Sequence, residues 1–214
     1  MTRILLPLLA LILAAMPAAA EPPQVLATGL KWPFAVAAGP GGKLYVLQHP
    51  EGDNGSIVTI DSGKPEPFCT GLDRPIGIVG FRQWLFVTDQ RGILRVDVKG
   101  KSEIYVPAKD FPVPLAAFAG ITADPETGIL YVSAAVDVDA KQGAIYQIAT
   151  NRKVTLVADN KTHPGLIASF GLVMDGQSNL LIGSGSEIVR LRLVDKKLET
   201  LVNGQAAIGG IVFY

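Results

Sequence analysis

Apolar positions along this chain fall in short runs of strand length, and the runs recur in a fixed order. The clearest instance lies between Gly71 and Asp97. Gly71-Leu72-Asp73-Arg74-Pro75 leads into an apolar run from Ile76 to Phe81, then Leu85-Phe86-Val87-Thr88-Asp89, then Gly92 and the alternating run Ile93 to Asp97. Each run is rich in branched or aromatic residues and is bounded by Gly, Pro or Asp, which predicts half-buried strands joined by tight turns. One such unit is a small antiparallel meander. It cannot bury both of its faces alone, so copies of it must stack.

The copies can be aligned. A first strand recurs as Phe34-Ala35-Val36, Ile76-Gly77-Ile78, Ala119-Gly120-Ile121, Phe170-Gly171-Leu172 and Gly209-Gly210-Ile211, with middle residues 42, 43, 51 and 39 positions apart. That period matches the ~40–45 residues of a four-stranded propeller blade. A small residue at the marker fits inner strands that converge on a common axis. The second strand repeats as Leu44-Tyr45-Val46, Leu85-Phe86-Val87, Leu130-Tyr131-Val132 and Leu180-Leu181-Ile182. The third follows as Ser56 to Asp61, Ile93 to Asp97, Ala144 to Ile148 and Glu187 to Leu193. The fourth and least apolar is Pro67 to Cys69, Ile104 to Val106, Thr155 to Val157 and Thr200 to Val202. The fold class predicted is all-β: a β-propeller of four-stranded antiparallel blades, four of them recognisable, with part of a fifth.

The two ends of the pattern are unmatched. Gln24 to Ala27, followed by Gly29-Leu30-Lys31-Trp32-Pro33, repeats Phe68 to Thr70 followed by Gly71-Leu72-Asp73-Arg74-Pro75, so it reads as a fourth strand that completes the last blade of a ring. Ile211-Val212-Phe213-Tyr214 reads as the first strand of a fifth unit. The expectation is therefore a propeller domain over 21–214, incomplete at its C-terminus, whose open blade self-associates.

Residues 1–20 have the three parts of a secretory signal: Arg3, an apolar core from Ile4 to Met16, and the exit Ala18-Ala19-Ala20 before Glu21. Cleavage after Ala20 would give an exported protein, periplasmic or extracellular, with no later segment apolar for long enough to span a bilayer. Nineteen basic and nineteen acidic residues cancel, which leaves no basic field to recruit nucleic acid. The single cysteine, Cys69, excludes an internal disulfide framework and reads as a buried inert thiol.

The order of small residue, apolar residue, turn and Leu-Tyr-Val resembles the NHL-repeat and SMP-30/gluconolactonase-like six-bladed propellers over Gln24 to Tyr214. The resemblance implies a six-bladed ring of which this chain holds a part. Lactonase-type members hold a divalent metal on the channel axis through a Glu ahead of the first inner strand, an Asn before a Gly and an Asp before another Gly. The aligned positions here are Pro33, Phe170 before Gly171 and Gly209 before Gly210, none of which ligates a hard cation through its side chain.

Loops before the first strands and between the second and third strands open on one face, and recognition is expected there. A pocket at the channel mouth is expected from Trp32, Arg74, Phe118 and His163, combining apolar walls with a few polar groups. The bland alternative is that Lys31, Asp73 and Arg74 are solvated and that Trp32 packs under a neighbouring blade. Asp137, Asp139, Glu51 and Asp53 read as solvated turns rather than a calcium site. His49 and His163 sit on different loops without a nucleophile motif and read as structural. The function expected is an exported binding or interaction module for a small molecule or a protein or peptide, without a cofactor. The alternative is a gluconolactonase-like hydrolase dependent on a metal such as calcium.

Overall fold

The structure is a computed structural model that describes residues 24–51, 54–137, 139, 141–164, 166 and 169–204. The expected signal segment, Asp53, Gly209, Gly210 and the strand expected at Ile211–Tyr214 lie outside these residues.

The described chain forms four antiparallel sheets of four strands. The first blade holds β1 (Pro33–Ala38), β2 (Leu44–Glu51), β3 (Asn54–Asp61) and β4 (Lys64–Asp73). The second holds β5 (Ile78–Phe81), β6 (Trp84–Asp89), β7 (Gly92–Val96) and β8 (Ser102–Pro107). The third is β9 (Ala117–Ala123), β10 (Leu130–Asp137), β11 (Gln142–Ile148) and β12 (Val154–Asp159). The fourth is β13 (Ser169–Asp175), β14 (Asn179–Ser184), β15 (Glu187–Arg192) and β16 (Leu198–Val202). In every blade the strands pair in chain order, as a meander must. This is the architecture that the repeat predicts. Two one-turn 3-10 helices, Pro40–Gly42 and Ala108–Asp110, are the only helical pieces among the described residues.

The second and third blades each bury their two faces against different neighbours. The face of the second blade toward the first carries Ile78, Val87 and Leu94 in one cross-strand row, and Leu85 with Val96 in another. These five pack on Tyr45, Leu47, Ile57, Cys69 and Leu72 of the first blade. The same rows recur in the third blade as Ile121, Val132 and Tyr146, with Leu130 and Ile148, against Phe86, Ile93 and Val106 of the second. In the fourth they are Leu172, Ile182 and Val189, with Leu180 and Leu191, against Tyr131, Ile145, Val157 and Ala158 of the third. Burying each such side chain contributes about 2 kcal/mol. The core is thus three seams rather than one centre, and β1 contacts β5, β5 contacts β9, and β9 contacts β13. Among the described residues no comparable contact joins the fourth blade to the first.

Two local features differ from the sequence pattern. β5 begins at Ile78 rather than Ile76, because the Gly77 amide donates to the side chain of Thr88, 2.7 Å to Oγ1, instead of to a ladder carbonyl. Gly77 also backs onto the next blade so closely that a Cβ there would lie 2.7 Å from the Ala119 carbonyl oxygen. The segment Gln24–Leu30 forms no strand. Its position is nevertheless that of an outer strand: the Leu26 carbonyl oxygen faces Gly63, in the turn between β3 and β4, as the Phe68 carbonyl oxygen faces Gly100, in the turn between β7 and β8. Leu26 and Phe68 are the positions that the sequence alignment equates.

Candidate functional site

The leading loops of the first two blades are copies of each other in conformation as well as in sequence. Gly29 and Gly71 have φ of +80° and +75°, and Trp32 and Arg74 have φ of +50° and +43°. Glycine takes the left-handed region freely, whereas a bulky side chain there costs roughly 1 kcal/mol or more. Both loops are held by equivalent bonds. The Lys31 amide donates to Gln48 Oε1 at 3.1 Å, and the Asp73 amide donates to Asp89 Oδ2 at 2.8 Å. A further bond differs by one residue between the loops: the His49 amide donates to the Trp32 carbonyl, and the Gln90 amide donates to the carbonyl of Asp73, the counterpart of Lys31. Gln48 in β2 and Asp89 at the end of β6 stand at matching positions and are 8% and 1% exposed, so each loop rests on a buried polar anchor.

The anchor in the second blade is ionic. Asp89 accepts from the Arg91 guanidinium at 2.7 Å from Nε and 2.9 Å from Nη2, and Arg91 Nη2 also donates to the Gly71 carbonyl at 3.1 Å. The hydrogen bond to Asp89 raises the Arg91 pKa further. Neither Asp89 nor Arg91 stands out as functional in the sequence. The available signal is an acid that closes an apolar strand, two residues before an arginine. In the first blade His49 takes a related part: its Nε2 donates to the Pro75 carbonyl at 2.6 Å and so ties the end of β2 to the leading loop of the second blade.

These anchors hold the two tips outward. Trp32 is 81% exposed, and Arg74 is half exposed, with the half-exposed Asp73 carboxylate 3.5 Å from its Nε. An exposed pair of this kind contributes little to stability and leaves the guanidinium available. Beside Trp32, Gly29, Lys31, Gln48, Ser56, Pro67 and Thr70 line a cavity of about 310 Å³. Within it Gln48 Nε2 lies 3.4 Å from Ser56 Oγ.

The other two residues expected at the mouth are placed elsewhere. Phe118 is 5% exposed in the seam between the second and third blades, edge-on to Phe111 at 4.9 Å, and Phe111 in turn meets Tyr146. The loop ahead of β9 folds back to bury Phe111, and this draws Phe118 inward. His163 lies at the outer seam of the third and fourth blades. Its Nε2 donates to the Lys196 carbonyl at 2.8 Å, and its Nδ1 lies 2.9 Å from Thr162 Oγ1. Asp137 and Asp139 are exposed. Among the described residues no three His, Cys, Asp or Glu side chains form a group able to hold a metal ion. What the loops offer chemically is an aromatic plane, a planar cation, a Lys ammonium and amide and hydroxyl groups.

No protein-family model and no curated protein matches the chain. Solved structures do. A protein of unknown function from Bacteroides thetaiotaomicron superposes with a TM-score of 0.59 at 15% identity, over 81% of this chain and 48% of that one. The extracellular domains of a hybrid two-component system and of a one-component system from the same organism superpose with TM-scores of 0.57 and 0.58 at 14% and 16% identity. They cover 83% and 81% of this chain and 25% and 24% of theirs. At such identities the likeness is one of fold. The chain spans about half the length of the first of these structures and about a quarter of the other two.

Proposed function

We propose that this chain is an exported binding module that recognises a small molecule or peptide on the face carrying Trp32 and Arg74. The observation that carries the reading is their shared left-handed backbone at matching positions, with both loops anchored on buried polar side chains. Backbone strain that is held in place and presents an 81% exposed indole to solvent argues for use rather than packing. Trp32 supplies a rigid apolar wall, and Arg74 supplies a fork suited to a carboxylate. That two of the similar structures are extracellular domains supports export.

The test is calorimetric titration with a panel of short acidic peptides and sugar acids. Trp32→Ala and Arg74→Ala should each weaken binding by about tenfold, and Gln83→Ala, in the turn between β5 and β6 on the opposite face, should leave it unchanged. If Gln83→Ala alone weakens binding, the ligand sits on the other face. Hydrolysis of a lactone that depends on added calcium would replace this reading with the hydrolase one.

A further inference from the structure

The first and second seams repeat one another where the outer strands of one blade meet a turn of the next. Tyr45 and Phe68 of the first blade meet edge-on at 4.9 Å and 64°, and Phe86 and Tyr105 of the second at 5.1 Å and 66°. Tyr45 stands across the ladder from Thr59 as Phe86 does from Arg95, and Thr59 stands across from Glu66 as Arg95 does from Glu103. The turn of the next blade closes each place with the same bonds. The Asp97 amide donates to the Lys101 carbonyl and the Gly100 amide to the Asp97 carbonyl, as the Ala149 amide does to Lys153 and the Arg152 amide to Ala149.

In the second seam this place is filled from within. The Arg95 guanidinium lies 4.1 Å from the centre of the Trp84 ring and 5.5 Å from that of Tyr105, and it forms an ion pair with Glu103. In the first seam Thr59 stands where the second has Arg95, and Lys43 where it has Trp84. A cavity of about 370 Å³ takes the place of the guanidinium, lined by Lys43, Tyr45, Thr59, Phe68 and Val98. Thr59 is 8% exposed, and its hydroxyl makes no hydrogen bond among the described residues. Leaving a buried hydroxyl unpaired costs free energy, so the cavity holds a polar group ready for a ligand. Glu66 and Lys43 likewise have no ion-pair partner among the described residues, whereas Glu103 has Arg95.

We infer that this cavity binds a ligand with a guanidinium at one end and a carboxylate at the other, of which free arginine and a peptide ending in arginine are the two sources. The guanidinium takes the place that Arg95 holds in the second seam, stacked on Phe68 and paired with Glu66, with the Thr59 hydroxyl as a further acceptor. Lys43 puts an ammonium where the second seam has an indole. It repels a ligand that is only a cation and attracts one whose carboxylate reaches it. Tyr45 and Val98 supply apolar walls for a methylene stem. The site lies beside the turns that follow β1 and β7, on the face opposite Trp32 and Arg74, and does not rest on the reading proposed for that face.

The experiment is calorimetric titration of the protein with four probes: arginine, the tripeptide Gly-Gly-Arg, citrulline, which keeps the carboxylate without the positive side chain, and arginine methyl ester, which keeps the guanidinium without the carboxylate. Arginine and Gly-Gly-Arg should bind, and the tighter of the two identifies the source. Citrulline and the ester should each bind about tenfold more weakly or less. Glu66→Gln should weaken arginine by about tenfold, and Lys43→Met should weaken arginine while tightening the ester. Both residues are exposed, so circular dichroism should show both variants folded. Thr59→Arg supplies the guanidinium from within, as the second seam does, and should abolish arginine binding while raising the thermal midpoint. Failure of both arginine and Gly-Gly-Arg to bind, arginine affinity unchanged by Glu66→Gln, or arginine affinity kept in a folded Thr59→Arg variant would each overturn the inference. So would citrulline binding as tightly as arginine, the result expected of a carboxylate held at Arg74 instead.

Discussion

Thr88 Oγ1 lies 2.7 Å from the Gly77 amide nitrogen and 2.8 Å from the Ala119 carbonyl oxygen. One buried hydroxyl therefore accepts within its own blade and donates to the next. Thr88→Val keeps the shape and removes both bonds, leaving a buried donor and a buried acceptor without partners. Stability should fall by about 2–3 kcal/mol, read from the midpoint of urea unfolding.

Asp89 holds the leading loop of the second blade. Asp89→Ala deprives the Asp73 amide and the Arg91 guanidinium of their acceptor. The expected loss is about 2–3 kcal/mol, below that of a fully buried pair because Arg91 keeps 44% exposure. Arg74 is displaced with the loop, so ligand binding at that face should weaken in parallel. Arg91→Lys should rescue only part of the loss, since an ammonium cannot make the forked contact.

In the turn after β9, Thr127 Oγ1 donates to Asp124 Oδ2 at 2.6 Å, and the Glu126 amide donates to Oδ1 at 2.9 Å. The Thr127 hydroxyl, with these backbone donors, holds the Asp124 carboxyl below its ordinary pKa. A depressed carboxylate stabilises the fold above the unfolded value of about 3.9 and loses that contribution as pH falls through the folded pKa. Thr127→Val should cost about 1–2 kcal/mol near neutral pH, and the difference from wild type should shrink below about pH 3. Thermal melts at the two pH values read it out.

Cys69 lies in the first seam at 4% exposure, and burial pushes its thiol pKa up. A thiol reagent should fail to label the native protein at neutral pH and should label it stoichiometrically in denaturant. Cys69→Ala should lower stability by about 1 kcal/mol through the cavity it leaves.

The strands were legible because each repeats a period-two pattern with its own turn chemistry, and Val36, Ile78, Ile121 and Leu172 align by eye. The matching of the Trp32 and Arg74 loops was legible as Gly-Leu-x-x-Pro; their left-handed backbone was not, since neither residue favours it and the anchors that enforce it lie 16 residues further on. His163 takes its place from a turn 33 residues later in the next blade, which no local pattern announces. Phe118 reads as a loop residue until Phe111 is seen packed on Tyr146. Gln24–Ala27 reads in the sequence as a fourth strand completing the last blade; its Leu26 carbonyl faces Gly63 as an outer strand's would, but a strand needs a paired ladder, and none of the described residues supplies one there.

Because every seam joins blades adjacent in sequence, stability along the chain is a sum of nearest-neighbour terms. The second and third blades each share two seams, the first and fourth one apiece among the described residues. Amide hydrogens should therefore exchange in a gradient, slowest in β6 and β10 and fastest in β1 and β16, with the protein opening from its ends inward. Trp32 stands on the blade that opens early and Arg74 on one that opens late. A ligand gripping both would draw the end blade into the protected middle, and slowed exchange in β1 would report its arrival.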